Sequence, residues 1–172
     1  AQSRHPRHSV IRNSCLHTNA SMPSDLPACL KGSKMNEEEL SGRLEKLYSG
    51  ILFDVVRSMG IRNCVLPISL RPLNVSHKIA GPAFTISGEV DQSLSERDSL
   101  LRWCEFLSQA PPDHVIVCQP NDDTIAHMGE LSAETLSYKG VRGFIADGGC
   151  RDSKFIAELG FPVWCKYFTP KD

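Results

Sequence analysis

The sequence lacks the features that mark several common classes of protein. Its 172 residues carry a net charge of -1, so they create no general attraction to nucleic acid or to an anionic membrane. It has no phosphate loop, no dinucleotide-binding glycine fingerprint and no Gly-x-Ser-x-Gly motif. We therefore expect a single hydrophobic core of ordinary size, and neither a nucleic-acid partner nor a membrane partner.

The number and spacing of the cysteines indicate neither a disulfide framework nor a zinc site. There are seven, an odd number, with no C-x-x-C pair and no clustered histidines. Cys118 and Cys165 lie inside apolar runs, which predicts reduced and buried thiols and a cytoplasmic location. Cys150 lies beside the motif described below, but its position alone does not make it reactive.

The first 35 residues differ in composition from the rest of the chain. Arginine, lysine and serine are frequent there, Asp25 is the single acid before Met35, and no apolar run resembles a signal-peptide core. We interpret residues 1–35 as a disordered or non-native tail. An organelle transit peptide, or sequence upstream of a start at Met22 or Met35, remains an alternative.

A helix is predicted to open the ordered part of the chain. Asn36 is a good cap residue, three glutamates follow it, and apolar residues recur at helical spacing as far as Met59, before Gly60. This pattern predicts one amphipathic helix that ends at Gly60. Asp54 lies among the apolar positions, where a hydrogen-bonded structural acid is favoured over a site carboxylate.

The chain then alternates between strands and helices, after irregular proline-containing connections near residues 65–73. The predicted strands are 79–87, 114–118, 143–146 and 161–165, and the predicted helices are 95–109, about 129–138 and 153–159. The order predicts an α/β fold, a layered sheet with β-α-β crossovers of right-handed sense. Loops that follow parallel strands gather at one edge of a sheet, so the loops 119–130 and 147–152 should converge.

The second of these loops carries the most informative motif, Asp147-Gly-Gly-Cys-Arg-Asp152. Arginine presents a planar fork of donors that suits a carboxylate, and aspartate offers hard oxygen to a divalent cation. The two glycines allow backbone and ligand to approach closely. The motif therefore indicates a joint anion and metal site of the kind that 2-oxo acid chemistry requires.

The predicted edge also contains the start of the helix after Gly129. Its unpaired amides at Leu131 and Ser132 are suited to one end of a small acid, while Arg151 holds the other oxygens. The polar side chains expected at this edge are those of Asn121, Asp122, Asp123, His127, Glu130, Asp147, Arg151 and Asp152.

Most of these residues also have a structural interpretation. Asp152 serves equally well as a cap for the helix 153–159. Glu130 suits any first helical turn, Asp122 and Asp123 are typical turn residues, and His127 is expected at the surface or in a hydrogen bond. Arg151 is different, because packing gives no reason for a guanidinium after two glycines.

Five segments together resemble the RraA-like / 4-hydroxy-4-methyl-2-oxoglutarate aldolase family. They are Gly81-Pro-Ala-Phe-Thr85, Ala110-Pro-Pro-Asp-His-Val-Ile-Val117, Gly129-Glu-Leu-Ser-Ala133, Asp147-Gly-Gly-Cys-Arg-Asp152 and Leu159-Gly-Phe-Pro-Val163. The resemblance runs from about Asn36 to Pro170. It implies a swivelling β/β/α fold and a domain over residues 36–172 that lacks the family's C-terminal strands.

The resemblance also implies a class II pyruvate aldolase that uses Mg2+ or Mn2+. Asp152 matches the direct metal ligand, Arg151 the arginine on the pyruvoyl oxygens, and Glu130 an acidic position near metal-bound water. Gly129, Leu131 and Ser132 match the backbone that receives the substrate carboxylate. Ser132 replaces a usually apolar residue, and Asn121-Asp122-Asp123 replaces a glycine-rich loop, so pocket shape and substrate choice are expected to differ.

Two functions follow from the resemblance. The first is pyruvate release from 4-hydroxy-4-methyl-2-oxoglutarate or 4-carboxy-4-hydroxy-2-oxoadipate, with oxaloacetate decarboxylation, by a homotrimer or hexamer. The second is binding to the endoribonuclease RNase E without chemistry. Regulators of that kind can lack the acid after the arginine, and Asp152 is present here, so the lyase ranks first. A methyltransferase ranks last because no nucleotide-binding motif is found.

Overall fold

The computed structural model describes residues 9–12 and 35–172. The strands are β1 (Ser9–Arg12), β2 (Arg71–Pro72), β3 (Ala83–Val90), β4 (Val115–Gln119), β5 (Gly143–Ala146), β6 (Gly149–Cys150), β7 (Val163–Cys165) and β8 (Tyr167–Phe168). The helices are α1 (Glu37–Glu45), α2 (Ser49–Ser58), α3 (Glu96–Gln109), α4 (Glu130–Tyr138) and α5 (Ser153–Leu159).

A six-stranded sheet in the order β1-β3-β4-β5-β7-β2 forms the centre of the molecule. Strands β3, β4, β5 and β7 run parallel, with α3, α4 and α5 in the successive crossovers. The edge strands β1 and β2 are antiparallel to their neighbours, and β6 and β8 form a separate parallel pair. The α/β fold with β-α-β crossovers is therefore confirmed.

The core lies against the two central strands. Every residue of β5 is buried, and Ile116 and Cys118 of β4 are fully buried beside Phe144. Short, continuously apolar strands are what a parallel sheet covered by helices requires. Their carboxyl ends point to the loops that carry the candidate site.

The N-terminal helical region differs from the prediction, because two helices replace one. Asn36 does cap the first, accepting from the amide of Glu39 at 2.7 Å. The chain then leaves helical geometry at Tyr48, whose backbone is extended. Glu45 is fixed by Arg142 and by the amide of Ala80, at 3.0 and 3.2 Å, which are tertiary contacts that periodicity does not encode.

The second of these helices, α2, has no buried residue. Exposed apolar side chains are frequent in α2 and in the segment that follows it, a region that we call the α2 face. This face consists of Ile51, Phe53, Val55, Met59, Ile61, Val65, Leu66 and Ile68.

Boundaries in the rest of the domain follow the sequence closely. Residues 143–146 and 153–159 form β5 and α5 as predicted. The short strand β2 was expected to be irregular, and its Pro72 is tolerated because β2 is an edge strand. Apart from the backbone pairing of Ser9–Arg12 with β3 and the exposed Met35, the prediction for residues 1–35 lies outside the described residues.

Candidate functional site

Backbone hydrogen bonds bring the two predicted loops together beyond the ends of β4 and β5. The amide of His127 donates to the carbonyl of Gly149 at 2.8 Å, and the amide of Arg151 donates to Met128 at 2.9 Å. Asp147 is joined to the end of β4 through Cys118 at 2.8 Å. The Arg151-Asp152 pair is therefore held beside the start of α4.

Asp152 serves as a cap, but for a different helix from the one considered in the sequence. It precedes α5 in a left-handed conformation with φ 56°, and its side chain makes no capping bond to that helix. Instead, its Oδ2 accepts a hydrogen bond from the amide of Glu130, in the first turn of α4, at 3.2 Å. Aspartate tolerates this left-handed backbone better than most residues.

Gly129 makes this approach possible. A Cβ atom at that position would lie 3.0 Å from Oδ2 of Asp152 and 3.2 Å from Nε of Arg151. Any side chain there would have to displace the ion pair from the helix. The glycine predicted to line the site thus has a steric reason to be glycine.

Arg151 is held between two carboxylates. Its Nε lies 3.3 Å from Oδ2 of Asp152, and Nη1 pairs with Asp172. About a third of each side chain of the Arg151-Asp152 pair remains exposed, 36% and 35%. The guanidinium is therefore oriented and still accessible to an anion from solvent.

The first turn of α4 supplies free backbone donors next to this pair. Among the described residues, the amide of Glu130 is used by Asp152, whereas no acceptor contacts the amides of Leu131 and Ser132. The side chain of Ser132 accepts a hydrogen bond from the indole of Trp103 at 2.8 Å. Unpaired first-turn amides and the helix dipole favour a carboxylate at this position.

A metal ion at this site would have few protein ligands. Within residues 9–12 and 35–172, no three histidine, cysteine or acidic side chains are grouped closely enough to hold a metal. Asp152 is exposed to solvent and uses Oδ2 in both of its contacts. One carboxylate with the remaining positions filled by water suits Mg2+ better than Zn2+.

Two side chains near the site were not anticipated from the sequence. Lys166 pairs with Asp147 at 2.9 Å and approaches Asp123 at 3.7 Å. The hydrogen bond to Asp147 raises the pKa of Lys166. Lys166 and Asp172 reach the site because the chain returns to it along β8. No local sequence motif predicts that return.

Asp122 behaves as the turn residue expected, since its Oδ1 accepts from both the amide and the hydroxyl of Thr124 at 2.8 and 2.6 Å. The expectation for His127 is wrong. Its side chain is buried, and neither ring nitrogen has a hydrogen-bond partner among the described groups. The imidazole lies against Gly148, where a Cβ would come within 2.6 Å of Nδ1.

Cys150 is buried beside Cys165, and its reactivity is low. The hydrogen bond with Cys165 and burial both raise the pKa of the Cys150 thiol, so it stays protonated. Burial also raises the pKa of Cys118, to about 12. Neither thiol is suited to act as a nucleophile.

These features define a class of protein: an α/β domain with an arginine-carboxylate pair facing a helix N-terminus at the carboxyl edge of a parallel sheet. The chain belongs to the RraA-like family, whose model, described as Aldolase/RraA, matches residues 50–172. Among the described residues, no helix has the length and apolar character needed to cross a membrane.

Individual relatives agree with this assignment. A protein of Halalkalibacterium halodurans, provisionally named a 4-hydroxy-4-methyl-2-oxoglutarate aldolase, is 27% identical over 104 residues, which are 60% of this chain and 47% of that protein. The present chain therefore spans about half the length of that relative.

Two solved structures share the fold at similar identity. RraAS2 of Streptomyces coelicolor, described as an unusual member of the RNase ES inhibitor RraA family, is 27% identical with a TM-score of 0.66, covering 77% of this chain and 65% of that one. A structure described among novel cellulases from gut-associated microbes is 28% identical with a TM-score of 0.71, covering 83% and 64%.

Proposed function

We propose that this protein is a divalent-metal-dependent lyase that releases pyruvate by retro-aldol cleavage. The proposed substrates are 4-hydroxy-4-methyl-2-oxoglutarate and 4-carboxy-4-hydroxy-2-oxoadipate, with oxaloacetate decarboxylation as a related activity. The observation that carries the proposal is the placement of Arg151 and Asp152 against the free amides at the start of α4. Family membership and the named relative support the same reaction class.

Both reactions break a carbon-carbon bond while electrons flow into the 2-oxo group, so the barrier depends on how well the enolate is held. The amides of Leu131 and Ser132 would bind the substrate carboxylate. The guanidinium of Arg151 would contact the 2-oxo oxygen as it becomes negative. Asp152 and Asp172 orient that guanidinium before the substrate arrives.

Asp152 is the residue proposed to hold a Mg2+ or Mn2+ ion, through carboxylate oxygen. When bound, such an ion would act as a Lewis acid that adds to the stabilisation of the developing negative charge. Asp152 is accessible to solvent and fits a site completed by water.

Glu130 is the proposed proton carrier. Its amide is fixed by Asp152, so its side chain starts from a defined position beside the site. A carboxylate there can accept the proton of the 4-hydroxyl, directly or through a water, and return it to the enolate carbon. Among the described residues, His127 is too buried for this task and Cys150 too weakly acidic.

A regulatory function is the second candidate, because the Streptomyces relative is described within a family of RNase ES inhibitors. A regulator needs a binding surface but no acidic residue at the site. The presence of Asp152 therefore favours the lyase.

We also propose that the protein works as a cytoplasmic homotrimer or hexamer. The α2 face supports assembly, because many exposed apolar side chains within one short stretch are typical of a surface that another subunit covers. A cavity of about 350 Å³ lies within this region, lined by Phe53, Arg57, Gly60, Ile61 and Arg62.

The activity is tested by coupling pyruvate formation to lactate dehydrogenase, with each proposed oxo acid, in the presence of Mg2+ and again with a chelator. Arg151→Lys keeps the charge but loses the planar fork, and we expect kcat/KM to fall about 100-fold. Asp152→Asn should lower kcat/KM at least as much, and the activity that remains should respond less to added metal.

Asp113→Asn is the matched control for Asp152→Asn. Asp113 also has a left-handed backbone, with φ 60°, but it lies outside the site. Equal losses in the two variants, or no pyruvate from any of the proposed acids with saturating metal, would contradict the lyase.

A further inference from the structure

The first turn of α4 is connected to α3 by one side-chain hydrogen bond. Trp103 of α3 donates its indole N–H to the hydroxyl oxygen of Ser132 at 2.8 Å. Both residues are half-buried, so this bond is partly shielded from competition with water.

Trp103 is itself anchored to the core. Its ring packs against Phe106, with centroids 5.0 Å apart and planes inclined at 58°. Phe106 is 1% exposed and belongs to the close-packed core around the sheet. The indole thus connects the hydrophobic core to the start of α4.

Ser132 contributes one of the two first-turn amides that have no acceptor among the described residues. A serine hydroxyl near a helix start can also bond to nearby backbone groups, which competes with regular helical geometry. The bond from Trp103 selects one orientation of the hydroxyl. It also ties the first turn of α4, which carries the Leu131 and Ser132 amides, to α3.

We propose that Trp103 is a positioning residue, acting through Ser132, that aims the amino end of α4 at the carboxylate of the substrate. This role rests on the proposed function. A carboxylate bound by two N–H groups is sensitive to their direction, because a hydrogen bond weakens steeply as it bends. Loss of the support should weaken binding of the carboxylate more than it slows the chemical step.

The chain offers a matched control at the other end of the same helix pair. Lys139 follows α4 and donates its Nζ to the carbonyl of Ser108 in α3 at 2.9 Å. This bond also joins α3 to α4, but it lies at the end of α4 opposite the site. Lys139→Met should therefore change stability without changing substrate binding.

The experiment measures KM and kcat for the oxo acid, and the Kd of oxalate, a planar mimic of the pyruvate enolate. Trp103→Phe keeps an aromatic ring against Phe106 but removes the N–H donor. We expect its KM and its oxalate Kd to rise about fivefold, the effect of one lost hydrogen bond, with a much smaller change in kcat. Ser132→Ala should raise both constants by a similar factor.

The double variant decides whether the two residues act as one unit. Trp103→Phe combined with Ser132→Ala should be no worse than either single variant. Additive losses in the double variant would overturn the role. If Lys139→Met lowered the melting temperature as much as Trp103→Phe and raised KM equally, the effect of Trp103→Phe would be a loss of general stability. That result would also overturn the positioning role.

The outcomes separate this role from the reaction itself. An active protein whose KM and oxalate Kd are unchanged by Trp103→Phe overturns the positioning role alone. A protein that releases no pyruvate and binds no oxalate contradicts the lyase, and the role of Trp103 with it.

Discussion

Asp152 has a left-handed backbone, and its carboxylate contacts α4 instead of α5, the helix that it precedes. There it accepts from the amide of Glu130 at 3.2 Å and lies 3.3 Å from Nε of Arg151. An aspartate at an N-cap position is usually explained by the helix that follows it. Here the contacts show that the explanation lies with α4, 22 residues earlier.

The folded state disfavours the protonated form of His127. Burial lowers the pKa of His127, and the nearby Asp122 and Asp123 only partly oppose this effect. The unfolded chain, with a histidine pKa of about 6.5, then binds more protons than the folded one as the medium is acidified. The contribution of neutral His127 to the free energy of unfolding is therefore present above that pH and is lost as the pH falls below it.

We therefore predict that His127→Leu reduces the pH dependence of stability. Between about pH 7.5 and 5.5 the free energy of unfolding of the unsubstituted protein should fall by up to about 1.4 kcal/mol per pH unit more than that of the variant. Urea unfolding followed by circular dichroism at several pH values measures this difference. Parallel curves for the two proteins would show that His127 does not titrate on unfolding.

Among the elements, the short strand β6 is tightly packed at Gly149. Its Gly149 pairs with Tyr167 of β8, and the phenol of Tyr167 donates to the carbonyl of Ile125 at 3.0 Å. A Cβ on Gly149 would lie 2.5 Å from the ring of Tyr167 and 2.6 Å from that carbonyl. The second glycine of the motif is therefore required by the surrounding backbone, and not by a ligand.

Gly149→Ala should destabilise the protein by about 1–3 kcal/mol, because neither the ring nor the carbonyl can move away freely. Gly42→Ala is the control: Gly42 lies in α1 and a Cβ there would have no neighbour within 4 Å, so alanine should stabilise by about 0.5–1 kcal/mol. Denaturant unfolding measures both changes. Equal effects of the two substitutions would contradict the packing argument.

At the scale of the whole molecule, many of the apolar residues belong to one of two groups. One group packs around the central sheet, where Ile116 and Phe144 are fully buried. The other remains in water on the α2 face, where Val55 is 53% and Ile68 82% exposed. A second group of this kind is typical of a subunit interface.

We predict that Val55→Glu and Ile68→Glu prevent assembly without harming the fold. Both side chains are already exposed, so the free energy of unfolding of the isolated chain should change by no more than about 0.5 kcal/mol. Light scattering coupled to gel filtration should report a lower mass. Leu100→Glu, exposed to 62% on α3, is the control and should leave the mass unchanged.

Much of the architecture followed from the sequence because it depends on local signals. Continuous apolar runs bounded by turn residues predicted β4, β5 and β7, and a glycine or proline marked the end of each helix among them. The same alternation predicted a parallel sheet whose loops meet at one edge, and therefore that Arg151 and Asp152 would approach the start of α4. Chain order and periodicity are sufficient for these features.

Other features depended on contacts between distant parts of the chain. The contacts of Glu45 before the break between the two N-terminal helices, the burial of His127 and the arrival of Lys166 and Asp172 at the site all have this origin. The sequence by itself determined which residue types stand at the sheet edge. Only the tertiary structure decided which partners they contact, because hydrogen bonds and ion pairs depend on distances in space that separation along the chain does not fix.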